Sequence, residues 1–119
     1  MREIKVRGFD KTLQQWVVGY LCSDYIIDIN DFEIIYENID INSIGQYTGL
    51  KDKNGKEIYE GDIIKSQFLS STCKVVYDEE KVCFMAERPY PDNYRHFISD
   101  LYDIEVIDNI YENKELLND

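Results

Sequence analysis

The chain predicts a mainly β fold organised as a small barrel. Strand-forming runs are short and follow one another closely, turn-forming residues separate them, and no amphipathic segment is long enough to act as the crossover helix of a parallel α/β fold. The clearest turn is Asp52-Lys53-Asn54-Gly55, because an Asn-Gly step reaches the positive φ angles that a tight hairpin demands.

Taken in order, Ile4, Val6, Gly8 and Phe9 open an extended run, residues 10–12 form a turn, and residues 16–21 supply a second β-forming run, so the N-terminus predicts a hairpin. Residues 23–41 mix Asp, Asn and Ile around a cluster at Phe32 and Tyr36. Neither the helical nor the strand period fits them throughout, and they are expected as a strand-containing connector with helical turns. Residues 44–50 and 58–65 flank the KDKNGKE turn, with Gly61 and Asp62 interrupting the second arm as a bulge or secondary turn. Residues 74–77 and 82–86 predict another hairpin around Asp78, Glu79, Glu80 and Lys81. Pro89 and Pro91 force residues 88–93 into a loop, since proline gives no donor to a strand ladder. Two short strands at residues 96–98 and 104–107 and a terminal helical turn at 112–117 complete the reading. A strand, an EGDII bulge and two further hairpin arms follow the order of an SH3-like barrel. The predicted organisation is therefore a β-rich segment and connector over 1–41, then an SH3-like barrel with a C-terminal tail over 42–119.

Composition narrows the function classes. With 44% apolar and 13% aromatic residues the chain is globular in character, outside the charged, aromatic-poor class that stays disordered. Twenty-four acidic against 13 basic residues give a formal charge of -11, a field that repels a phosphate backbone unless the basic residues gather on one face. Nucleic acid is thus disfavoured as a partner. Cys22, Cys73 and Cys83 are odd in number and form no Cys-x-x-Cys pair, which suits a reducing compartment, with Cys73 and Cys83 placed to face each other across a hairpin as thiols. No apolar run follows the charged N-terminus and none approaches a membrane span, so the expectation is a soluble protein of the cytoplasm.

Each motif with chemical potential has a structural reading that outweighs it. GLKDKNGK, residues 49–56, is a glycine- and lysine-bearing turn, but its spacing is wrong for a phosphate loop, Glu57 replaces the expected hydroxyl, and a strand follows. Glu60-Gly61-Asp62 sets two carboxylates beside a flexible glycine. General acid-base work requires one to be buried with a raised pKa, whereas the simpler role has Asp62 accepting backbone N–H groups and Gly61 taking a conformation closed to other residues. His96 is the sole histidine, so a multi-histidine metal site is unavailable, and a Cys/His pair with Cys73 or Cys83 is weaker than their packing as core. The acidic clusters lack the spaced oxygen ligands of a calcium loop. No metal, cofactor or enzymatic activity is expected.

Ten tyrosines suggest a contact surface instead, because aromatic side chains give large area at small entropic cost. Tyr47, Tyr59, Tyr90 and Tyr94 are the candidates for it, while Asn54, Gly55, Gly61 and Asp62 are the structural motif residues. For Tyr47 and Tyr59 the favoured reading is partial burial in the barrel.

QYTGLKDKNGKEIYEGDI in the middle, REIKVRGFD at the start and EVIDNIYENKELL near the end together resemble the YopX family of phage and prophage proteins. The resemblance covers the chain discontinuously, over residues 2–10, 46–65 and 105–117. At the end, Asp108 and Lys114 stand where the family often has glycine and proline. It implies a β-rich N-terminal segment, a crossover, an SH3-like barrel and a host-cytoplasmic setting, and it implies no reaction. The leading expectation is a non-enzymatic module that binds protein, another chain or its own copies, through a β-edge or the tyrosines. Two alternatives remain: an acidic mimic of DNA that occupies the basic groove of a host protein, and a weak nucleic-acid binder whose Lys51, Lys53, Lys56 and Lys65 would cluster with Tyr47 and Tyr59.

Overall fold

The computed structural model describes residues 4–69 and 71–113, and the chain divides into two compact units, Met1–Gly49 and Leu50–Asp119. Nearly all of the regular structure is β.

The first unit begins with β1 (Val6–Asp10) and β2 (Gln15–Cys22), an antiparallel hairpin in which Phe9 faces Trp16 and Asp10 faces Gln15. The buried Asp10 carboxylate makes the turn, accepting the N–H groups of Thr12 and Leu13, both at 2.8 Å. β3 (Tyr25–Asp28) pairs with β2, and the two-residue β4 (Ile35–Tyr36) pairs with β3. β5 (Ile39–Lys51) lies on the other side of β1, giving the order β4-β3-β2-β1-β5. The β1–β5 ladder is interrupted between Arg7 and Phe9. Ser43 repairs the gap: its hydroxyl accepts the Phe9 N–H at 2.7 Å and donates to the Asp40 carbonyl at 2.6 Å. Val6, Val17, Ile26 and Ile39 form this unit's core, with Tyr36 and Ile44 against it.

In the second unit β6 (Glu57–Tyr59) follows the KDKNGKE turn and neighbours β5. β7 (Asp62–Lys65), β8 (Cys73–Asp78), β9 (Cys83–Glu87) and β10 (Arg95–Phe97) run as a meander. After a 3-10 turn at Ile98–Asp100, β11 (Glu105–Asn109) returns to the far side of β7, and α1 (Ile110–Asn113) follows. The order is β10-β9-β8-β7-β11. Ile58, Ile64, Cys73, Val75, Ala86, Ile98, Leu101 and Val106 make the core. Complete burial of each isoleucine here contributes about 1.5–3 kcal/mol.

The expected SH3-like barrel is not formed. Closure requires the first and last strands of a sheet to hydrogen-bond, and among the described residues β10 pairs only with β9 while β11 pairs only with β7. β6 is the last strand of the sheet that begins at β4. The fold is mainly β with two open sheets, and each retains edges that a barrel would have removed. The connector contains β3 and β4 with no helix, and residues 114–117 of the expected terminal turn lie outside the described residues.

Candidate functional site

The turn after β5 is organised by one carboxylate. Asp52 Oδ1 accepts the N–H groups of Asn54 and Lys56, each at 2.9 Å, and Oδ2 accepts the Val106 N–H on β11 at 3.0 Å. Burial opposes the charge, but these three donors outweigh it and hold the carboxyl below its usual range. Asn54 and Gly55 occupy the turn, with Gly55 at φ +81° and its N–H on the Asp52 carbonyl at 3.0 Å. The amides a phosphate would need are therefore already engaged by Asp52.

Glu60, Gly61 and Asp62 form the entrance to β7. Asp62, 1% exposed, accepts the Tyr59 N–H through Oδ2 at 2.7 Å. Gly61 has φ +92°, receives the Ile110 N–H on its carbonyl at 2.8 Å, and donates its own N–H to Val75 at 2.9 Å. With Asp62 closed to solvent, the two carboxylates do not converge on a space that a substrate could enter.

Arg95 is the centre of a second polar cluster. Its Nε contacts Glu87 Oε2 at 2.8 Å and its Nη1 contacts Asp78 Oδ2 at 3.0 Å, while Lys74 reaches Glu87 Oε1 at 3.4 Å. Asp78 also accepts the Lys81 N–H at 2.9 Å, and this bond followed by Arg95 lowers its pKa. Beside these residues lies an open cleft of about 420 Å³ lined by Tyr77, Asp78, Glu79, Glu80 and Arg95. Asp78 and Arg95 are paired with each other there, and no Ser, Thr or Cys lines it.

Nor do the cysteines assemble a catalytic pair. The β8–β9 register sets Cys83 opposite Asp78, at the other end of the hairpin from Cys73, so the expected facing thiols are separated by the length of β8. All three cysteines are free; Cys22 is exposed and burial pushes the Cys73 thiol up to about 11. A thiol so raised is not a thiolate nucleophile at neutral pH. His96 sits against the Tyr94 ring, centroids 4.8 Å apart. Among the described residues, no three His, Cys, Asp or Glu side chains are placed to hold a metal ion, and no helix is long and apolar enough to cross a membrane.

The four tyrosines separate into two pairs. Tyr47 and Tyr59 are buried, the latter donating its hydroxyl to Glu57 at 2.9 Å. Tyr90 is 86% exposed and Tyr94 lies under the Arg88 guanidinium, 4.8 Å from the ring centre. Of the four lysines set against Tyr47 and Tyr59, Lys53 and Lys65 both approach Glu105, at 3.8 and 3.4 Å. A stacking platform flanked by free cations is not present there.

An exposed apolar feature lies on the first unit, on strands away from the one expected site residue there, Tyr47. The registers of β2, β3 and β4 align Tyr20, Ile27 and Ile35 in one row across the sheet. Phe32, 71% exposed, packs its ring on Tyr20 at 6.2 Å, and Ile34 and Ile35, further along the chain, are exposed as well. The loop that presents Phe32 is pinned by Asp28, whose Oδ1 accepts the N–H groups of Asn30 and Asp31 at 2.8 and 3.0 Å and whose Oδ2 accepts the Tyr36 hydroxyl at 2.7 Å. The Tyr36 bond is the main cause of the lowered Asp28 pKa. A sequence signal does exist for this face: residues 12–50 contain six carboxylates and no Lys, Arg or His.

Comparison with known proteins agrees with the motif resemblance. Residues 5–118 match the family described as YopX protein. The chain is also similar to the crystal structure of protein EF1440 from Enterococcus faecalis, at 29% identity and a TM-score of 0.61, with 98% of this chain and 99% of that one covered. No curated protein matches the chain.

Proposed function

Because the chain belongs to the YopX family, we propose that it is a phage- or prophage-derived protein that works in the host cytoplasm as a non-enzymatic protein-binding module. The observation that carries this reading is the exposed apolar face of the first unit: Tyr20, Phe32 and Ile35 lie on one face beside an unpaired strand edge. Contiguous apolar surface at an open β-edge is a common form of protein recognition site. The carboxylates of this region alternate with large apolar side chains, which supports a protein partner over a mimic of continuous phosphate charge.

The test compares the tagged wild-type chain with Phe32→Ser in affinity purification from a bacterial host. Phe32 is exposed, so the variant keeps the core. The expected result is a stoichiometric partner retained by the wild type and depleted with the variant. Identical recoveries, or no partner with either protein, would refute the assignment to this face.

A further inference from the structure

We infer that the Tyr20–Phe32–Ile35 face takes an extended segment of a partner protein in which apolar residues alternate with Lys or Arg, added as a strand along β4. The inference rests on the protein-binding reading above and names the chemistry of the partner. Three independent observations lead to it.

The first is an open edge with unused backbone groups. Ile34 gives its carbonyl to the Asp28 N–H at 2.9 Å, and Ile27 stands opposite Ile35. Backbone groups alternate along a strand, so the N–H and C=O of Ile35 point away from β3. β4 is the last strand of its sheet, and an incoming strand would find both groups waiting.

The second is shape and chemistry of the adjoining face. An added strand places alternate side chains on one side, next to Ile35, whose apolar row continues through Ile27 to Tyr20 and the Phe32 ring packed on it. The Asp28 hydrogen bonds fix the Phe32 loop in advance, which reduces the ordering cost of binding.

The third is charge. Asp24, Asp31, Glu33 and Glu37 are exposed around these residues in the chain, within a segment that has no cation of its own. Those carboxylates attract a partner segment that carries Lys or Arg between its apolar residues. A second copy of the chain is a poorer occupant, because an isologous contact through this face brings the same acidic side chains together from both copies. Nucleic acid is opposed by the same charge.

The test is calorimetric titration of the full chain with synthetic peptides. The probe is a blocked peptide alternating Ile and Lys. Controls replace every Lys by Glu, or redistribute the same residues at helical spacing. The variants are Phe32→Ser, Ile35→Pro, which removes an outward N–H without breaking the β3 ladder, and Tyr90→Ser on the other unit. Circular dichroism and the melting temperature verify that each variant is folded.

The expected result is binding of the alternating Ile/Lys peptide, weakening as salt rises, with affinity reduced about tenfold or more by Phe32→Ser and by Ile35→Pro. Tyr90→Ser binds as the wild type does, and neither control peptide matches the probe. Absence of binding, equal binding by the Phe32 and Ile35 variants, or equal binding of the helical-spaced peptide would overturn the inference. Self-association of the wild type that Phe32→Ser abolishes would make the occupant a second copy; that outcome overturns the basic-segment assignment and leaves the protein-binding reading standing. Loss of a purified host partner with Phe32→Ser but no response to the peptides separates the two in the same way.

Discussion

Replacing Asp52 by alanine should destabilise the second unit far more than its place in a surface turn suggests. The carboxylate accepts three backbone N–H groups, two inside its own turn and one from Val106 on β11. Water can take over the donors of the exposed Asn54 and Lys56, so each of those losses costs about 0.5 kcal/mol. The Val106 amide is buried and is left without its acceptor, at about 1–3 kcal/mol. The expected total is about 2–4 kcal/mol, seen in urea denaturation as a lower midpoint with unchanged slope. Amide exchange supplies the local measurement: the Val106 N–H is protected in the wild type and exchanges quickly in the variant. Asp52→Asn should lose nearly as much, since when its oxygen serves the turn its amide group turns donors towards Val106. Lys53→Ala is the control for an exposed side chain of the same turn. A loss below about 1 kcal/mol for Asp52→Ala, with Val106 still protected, would refute the view that this carboxylate ties the turn to β11.

Acidification should act through the same groups. Asp28, Asp52 and Asp78 all have folded pKa values below their ordinary ones, so the unfolded chain binds protons first and their stabilisation is complete above about pH 4 and lost as pH falls through the folded values. A melting temperature that stays level from neutral pH down to about 3 would contradict this. Gly19→Ala should be severe, about 3 kcal/mol or more, because a Cβ there would stand 1.8 Å from the Ile27 carbonyl oxygen across the β2–β3 ladder. Gly49→Ala meets open space and carries only the strain of φ +88°, about 1 kcal/mol, so thermal melts of the two variants should differ clearly. Thiol labelling followed by mass spectrometry should modify Cys22 rapidly and Cys73 only on unfolding; early labelling of Cys73 would show that its burial is wrongly assigned.

Local signals carried the hairpins, and long-range pairing escaped them. The arms expected at residues 74–77 and 82–86 are β8 and β9 within a residue at most places, since alternation and a polar turn act over a few neighbours. Sheet closure depends on whether β10 and β11 meet, and nothing in either short segment specifies its distant partner. The outer face of the first unit was hidden for a different reason. Asp28 and Asp31 use their side chains to bond nearby backbone N–H groups, producing turns that break both the strand and the helical periods over residues 28–33. The same aspartates that pin Phe32 in place obscure it in the sequence. Tyr90 could be assigned to a proline-rich loop and is exposed there, whereas burial of Tyr47 and Tyr59 depends on packing that the spacing of tyrosines does not encode.

The absence of lysine and arginine from residues 12–50 also decides how this surface can be handled chemically. Trypsin, cutting after Lys11 and Lys51, releases most of the first unit as one peptide and leaves no internal cleavage point on the β2–β3–β4 face. Amine-directed cross-linkers, fluorophores and immobilisation resins will attach elsewhere and spare the face, whereas carbodiimide activation reaches it through its exposed carboxylates. Inside a cell the same property puts the segment beyond acetylation or ubiquitin transfer at lysine, and leaves its hydroxyl side chains among the groups open to covalent modification.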